Sequence, residues 1–410
     1  MNLTERAILA KADLNKLWQT SEEERNAVLI RLANLLIENK EQILAANQQD
    51  VKTAKTADYG AAFVDRLTLD EKRLQGLADA VLGIAKQPQV VFQFEEEHKR
   101  ADGLIIKKQR IPIGLIGIIF ESRPNVILDC FALGLKSANG MFLKGGKEAK
   151  ETNQIFMDLA HEALGKSIPD TLFQLLLDKE AAQEMLQLKD QMDLIIPRGS
   201  EKLIQYVKDN SKVPVICHAQ GLCHMYVDDS VDASEMIALV MNSKMQRTGV
   251  CNALETLLLD SKISLADKDQ LFHKLDEAGC ELRLDEKLSG QFPRYKKATT
   301  EDWRTEYLDA ILSVKEVADV RAAISHIQFY GSHHTEAIVS KRPESIELFL
   351  NQVDASCIAI NASTRFNDGG ELGLGAEVGI STTKIHAYGP MGARDLTTTR
   401  YCVEGKGHVR

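Results

Sequence analysis

The chain has 410 residues, 44% of them hydrophobic and 27% charged, an ordinary globular composition that excludes a disordered, collagen-like or disulfide-scaffold protein. At roughly 150 residues per domain it has room for two or three domains. Fifty Lys and Arg against 59 Asp and Glu leave a formal net charge of -9, and without a long basic run nucleic-acid binding is disfavoured.

The amino terminus, MNLTERAILAKADL, reads as a mixed-charge amphipathic helix. No apolar run reaches the ~18 residues of a membrane span, so the expectation is a cytoplasmic protein without a membrane partner. Residues 1–88 read as helices, the clearest opening at Ser21, where Ser21 and Glu24 form a capping box ahead of Leu29, Leu32 and Leu36. Between 89 and 112, VVFQFEEEH and LIIKKQRI flank Asp102 and Gly103 and predict a β-hairpin or projecting arm. From 113 the pattern turns to βαβ units. IGLIGIIF reads as a buried strand, followed by a helix over 125–139, the strand MFLK, a helix from Lys147 to about Gly165 and two more cycles at LFQLLL and MDLIIP. A second α/β region over 217–375 has strands at HMYVD, LETLLL, AILSV, AIVS and CIAIN. The end, ARDLTTTRYCVEGKG, alternates well enough for an edge strand on another subunit.

Five segments are able to carry chemistry. KGGKE at 144–148 stands at a strand-to-helix junction where N–H groups favour an anion, yet it lacks the Walker pattern, and no G-x-G-x-x-G occurs in the chain. MQRTGVCNALETLL puts Cys251 after a turn and before an apolar strand, either as a small buried residue or as a nucleophile whose thiolate needs activation. CHAQGLCH at 217–224 fits no common zinc spacing, so no metal is expected. ESRPN at 121–125 follows a buried strand at the sheet edge where ligands bind, although Asn125 there could equally cap the next helix. NASTRFNDGGELGLGAEVGIST offers Asn361 and Arg365, the latter for a carboxylate. The seven cysteines are an odd, scattered set, unlike a secreted disulfide framework.

Taken in order, IPIGLIGIIFESRPNV, FLKGGKEAKETN, IIPRGS, GLCHMYVD, RTGVCNALETLL, HHTEAIV, NASTRFNDGGELGLGAEVGIST and HAYGPMG resemble the gamma-glutamyl phosphate reductase family of the aldehyde dehydrogenase superfamily, over nearly the whole chain. The resemblance implies an aldehyde dehydrogenase-like α/β fold with two Rossmann-like parallel-sheet domains and a small β oligomerisation arm. Residues 1–88 and 113–216 would then bind the cofactor and 217–375 form the catalytic domain. Residues 89–112 and 383–410 would supply the oligomerisation arm and C-terminal strand of a homodimer or homotetramer. The implied reaction is NADPH-dependent reduction of L-glutamyl 5-phosphate to L-glutamate 5-semialdehyde and phosphate through a cysteine thioester, the second step of proline biosynthesis. A glutamate 5-kinase would supply the labile acyl phosphate. Related readings are a dehydrogenase acting on another acyl phosphate or aldehyde, and a non-catalytic paralogue.

Carried over by residue, the resemblance makes Cys251 the nucleophile and Asn125 the side-chain oxyanion donor, partnered by the Cys251 N–H, with Arg123 in the same loop a substrate contact. Lys144 would reach the adenosine ribose, Gly145 and Gly146 admit the cofactor, Lys147 meet a 2′-phosphate, Ser200 cradle the pyrophosphate and Glu306 hold the nicotinamide ribose. Two positions depart from the family pattern, Thr248 where Pro is expected and Tyr388 where Arg is expected. Hydrolytic aldehyde dehydrogenases carry a general-base Glu upstream of the nucleophile; His218 stands at that position here, with no carboxylate to activate water against a thioester.

Overall fold

The computed structural model describes residues 1–57, 59–121, 123–217 and 220–410, with Ala61 and Ala62 described by backbone alone. The chain divides into two compact units, one of Met1–Cys217, Gly373–Gly379 and Ile385–Arg410, the other of His218–Leu372 and Ile380–Lys384.

The first unit opens with α1 (Leu3–Trp18), α2 (Glu22–Glu38), α3 (Lys40–Thr56), α4 (Ala61–Leu67) and α5 (Glu71–Ala85). The expected capping box is present: Ser21 Oγ accepts from the Glu24 N–H at 3.1 Å, and the Glu24 carboxylate accepts from the Ser21 N–H at 2.7 Å. Leu29, Leu32 and Leu36 then fall on one buried face of α2. The hairpin follows as β1 (Phe94–Lys99) and β2 (Ile105–Pro112), antiparallel.

Next come β3 (Leu115–Phe120), α6 (Asn125–Lys136), β4 (Gly140–Lys144), α7 (Lys150–Leu164), β5 (Phe173–Leu176), α8 (Lys179–Met185), β6 (Leu194–Arg198) and α9 (Glu201–Asn210). The sheet is parallel, in the order β5-β4-β3-β6. Every residue of β3 is buried, as helices on both faces of a parallel sheet require. The order of strand addition reverses at β3, with β4 and β5 on one side and β6 on the other, so the loops after β3 and β6 lie at the topological switch point, where open α/β sheets bind ligands. The helix expected from Lys147 begins instead as a 3₁₀ turn, Lys147–Ala149. The α-helix starts after it, where the Asp50 carboxylate accepts from the Thr152 N–H at 2.8 Å and from its hydroxyl at 2.7 Å.

The second unit contains β7 (Cys223–Val227), α10 (Ala233–Met245), β8 (Leu254–Asp260), α11 (Leu265–Glu277), β9 (Glu281–Leu284), α12 (Glu286–Gln291), β10 (Lys296–Lys297), β11 (Ile311–Val317), α13 (Val320–Tyr330), β12 (Thr335–Val339), α14 (Pro343–Gln352), β13 (Cys357–Ile360) and β14 (Ile380–Ser381). Its main sheet runs β10-β9-β11-β8-β7-β12-β13, all neighbours parallel. The five strands read from the sequence are present; β9 and β10 are too short to give a periodic signal.

The chain returns to the first unit with β15 (Gly389–Pro390) and β16 (Thr397–Glu404). Its sequence predicts β16 as an edge strand on another subunit; in the structure it pairs antiparallel with its own β2, from Thr397 opposite Pro112 to Glu404 opposite Ile105. Period-two alternation encodes a strand, not its partner. No helix among the described residues is long and apolar enough to cross a membrane.

Candidate active site

Cys251 lies in the turn between α10 and β8, half-buried. Four contacts fix the turn around it. The buried Cys223 thiol donates to the Cys251 carbonyl at 3.1 Å. Gly221 lies so close that a Cβ there would come within 2.6 Å of Cys251 Cα, so only glycine fits. On the other side Asn252 Nδ2 donates to the Asn367 carbonyl at 3.0 Å, and its own carbonyl accepts from the Thr364 hydroxyl at 2.7 Å. The thiol is thus presented from a fixed turn at the carboxyl end of α10.

Arg365 is brought to this turn. Its Nε donates to Gln246 Oε1 at 2.8 Å and its carbonyl accepts from Asn252 Nδ2 at 3.4 Å. Burial lowers its guanidinium pKa, with a further push from Arg247, while Asp368 and Cys251 act the other way. Asn361, by contrast, spends its side chain on backbone: Nδ2 donates to the Ser340 carbonyl at 3.0 Å and Oδ1 accepts from the Ser340 N–H at 2.8 Å. His218 lies outside the described residues.

Glu306 is half-buried on the loop before β11. A wholly buried ion pair underpins that loop: Lys244 Nζ donates to Glu255 Oε2 at 2.7 Å, and Glu255 Oε1 accepts from the Leu308 N–H at 3.2 Å. Leu308 holds a φ of 53°, a left-handed conformation costly for Leu, so the hydrogen bond fixes a strained corner two residues from Glu306. Burial pushes the Glu255 carboxyl up to about 7, opposed by Lys244 and the Leu308 N–H and reinforced by Glu306.

The cofactor candidates other than Glu306 lie in the first unit. Lys144 ends β4 and folds back, its Nζ donating to the Gly145 carbonyl at 2.8 Å. A Cβ on Gly145 would strike the Asn153 amide and stand 3.0 Å from the Phe120 ring; one on Gly146 would strike the Glu148 carboxylate. The exposed Lys147 follows. Glycine is thus required at positions 145 and 146 by the side chains of Asn153, Phe120 and Glu148 packed against them. Ser200 stands at the start of α9 without a side-chain cap; its N–H donates to Glu121 Oε2 at 2.7 Å and its hydroxyl to Glu121 Oε1 at 3.2 Å. A carboxylate therefore sits where the resemblance places the pyrophosphate. Asn125 begins α6 and donates from Nδ2 to Asp129 Oδ2 at 2.9 Å; Arg123, two residues before it, is half-buried. Burial pushes the Asp129 carboxyl up to about 6, while Asn125 and the nearby Arg198 pull it down.

The sequence profile of the aldehyde dehydrogenase family matches residues 4–291. The chain is 45% identical over 413 residues to a gamma-glutamyl phosphate reductase of a Nitratiruptor species, covering 98% of each chain. It is 46% identical over 391 residues to one of Nautilia profundicola, covering 95% of each. The crystal structure of the gamma-glutamyl phosphate reductase of Thermotoga maritima superposes with a TM-score of 0.96 at 38% identity over 100% of both chains. The chain belongs to the gamma-glutamyl phosphate reductase family. It is accordingly an oxidoreductase with the aldehyde dehydrogenase fold. That fold extends to an acetylating aldehyde dehydrogenase of Geobacillus thermoglucosidasius, TM-score 0.72 at 15% identity over 100% of this chain and 97% of that one.

Within the family fold, sequence reasoning missed Lys244, Glu255, Asp129 and the Glu121 cap. Glu255 did leave a signal, a lone carboxylate inside the apolar run LETLLL, which only a buried partner can accommodate. That the partner is Lys244, on the preceding helix, no spacing rule states.

Proposed function

We propose that this chain reduces L-glutamyl 5-phosphate to L-glutamate 5-semialdehyde and phosphate with NADPH, in proline biosynthesis. The carrying observation is the full-length likeness to enzymes of that name. The fixed turn around Cys251 supports it. In this reading the first unit binds cofactor and the second carries the nucleophile. Cys251 thiolate attacks the acyl carbon, phosphate leaves, and a thioester remains; its collapse after reduction frees the aldehyde. The two tetrahedral oxyanions draw on the Cys251 N–H and on Asn125, where loss of one donor costs about 10²- to 10³-fold in rate. Bound NADPH supplies the hydride. Lys144, Gly145, Gly146, Lys147, Ser200 and Glu306 are the residues that would hold it. The enzyme acts in the cytoplasm as a homodimer or homotetramer joined through the three-stranded arm, receiving its substrate from a glutamate 5-kinase.

The test runs the reaction backwards, as NADP reduction with glutamate 5-semialdehyde. Turnover should require inorganic phosphate and disappear in Cys251→Ala with the circular dichroism spectrum unchanged. His218→Glu should add a measurable phosphate-independent rate, because a carboxylate there can activate water. Rapid phosphate-independent oxidation by the unmodified protein, yielding free glutamate, overturns the reading.

A further inference from the structure

Two arginines converge on the Cys251 turn, neither with an ionic partner among the described residues. Arg247 is exposed on the stretch between α10 and Cys251, and among the described residues it makes no hydrogen bond or ion pair. Arg365 is half-buried, and it too makes no ion pair among the described residues. Its side chain binds Gln246, the chain neighbour of Arg247, and its carbonyl binds Asn252, the neighbour of Cys251. One segment is thereby tied to both ends of the loop that carries the thiol. Some exposed arginines pair with carboxylates, Arg73 with Asp65, Arg294 with Asp269 and Arg394 with Glu95, whereas Arg66, Arg304 and Arg321, like Arg247, make no ion pair among the described residues.

Two cations set close together beside a nucleophile favour an anion of more than one charge. The carboxylate that acts on Arg365 is Asp368, without an ion pair, so the guanidinium fork is available for a tetrahedral oxyanion. We infer that Arg247 and Arg365 form the subsite for the phosphoryl group of an acyl phosphate, and for inorganic phosphate in the reverse direction. This assignment rests on the acyl-phosphate reading above and replaces the single carboxylate that the sequence suggested for Arg365.

The step it serves is balanced. The sulfur lone pair forms the C–S bond, the acyl C–O bond to phosphorus breaks, and its electron pair leaves on the phosphate oxygen. The proton given up by the Cys251 thiol ends on that phosphate. The arginines meet the charge that accumulates on the departing group, so their effect is largest on phosphate transfer and small on cofactor binding.

The test uses inorganic phosphate as the probe in two measurements. In the reverse assay, Arg247→Gln and Arg365→Gln should each raise the KM for phosphate about 10- to 100-fold, with the KM for NADP unchanged, and Arg365→Lys should recover part of the loss. Independently, phosphate should slow alkylation of Cys251 by iodoacetamide in the unmodified protein and lose that protection in Arg247→Gln, an exposed change that spares the fold. Protection and phosphate KM unaltered in both Gln variants overturn the subsite. Should glutamate 5-semialdehyde prove inert while phosphate still protects Cys251 through Arg247, the subsite stands and the substrate reading falls.

Discussion

Lys244 and Glu255 form one of the buried ion pairs of the second unit. Both side chains are wholly buried, so each charge has left water and depends on the other. Lys244→Met should destabilise the protein by about 3–5 kcal/mol, because it strands a buried carboxylate, whereas Lys244→Met with Glu255→Leu should recover most of that loss. Urea unfolding of the two variants measures the difference; equal losses would mean that packing, not charge, dominates. At Asp129 the sign of the pH dependence is set by a folded pKa of about 6, above the ordinary value of 3.8. The stability it contributes is fully present below the unfolded value and is lost as pH rises through about 6. Asp129→Asn should flatten stability between about pH 4 and 6, removing roughly 3 kcal/mol of variation. A stability profile identical to that of the unmodified protein would show that Asp129 titrates alike in both states.

At the scale of the element, the start of α9 presents N–H groups and the positive end of a helix dipole to whatever lies before it. Glu121, from the loop after β3, already occupies that position through the Ser200 N–H and hydroxyl. A pyrophosphate binding there has to displace this carboxylate or share the donors with it. Glu121→Gln keeps an acceptor for the Ser200 N–H but removes the competing charge, so the KM for NADPH should fall several-fold. A KM that rises instead would place Glu121 among the groups that bind the cofactor. Both loops stand at the switch point of the four-stranded sheet, which is why the same few residues meet there.

At the scale of the whole molecule, the three-stranded arm β1-β2-β16 exposes both apolar side chains and a strand edge. Phe94, Tyr401 and Val403 are 52%, 72% and 61% exposed, and the outer strand β16 leaves an open edge. On the proposal of a homo-oligomer joined through this arm, truncation after Leu396 should yield smaller species in size-exclusion chromatography coupled to light scattering. An unchanged molar mass would move the subunit contact elsewhere.

Local pattern was enough for the helices from Ser21 onward, for the hairpin around Gly103 and for the buried strands of both sheets, because caps, turns and hydrophobic period act over a few residues. The order of segments around Cys251 was likewise enough to identify the family. What the linear order could not contain is pairing at a distance. β16 lies on β2 although nearly three hundred residues separate them, Asn361 closes on Ser340, and Glu121 caps α9. Lys244 neutralises Glu255 across a turn, and Arg365 reaches the residues on either side of Cys251. Each of these depends on how strands are ordered in a sheet and on which loops its edge gathers. Burial then turns such proximity into chemistry, by removing the water that would otherwise screen every charge.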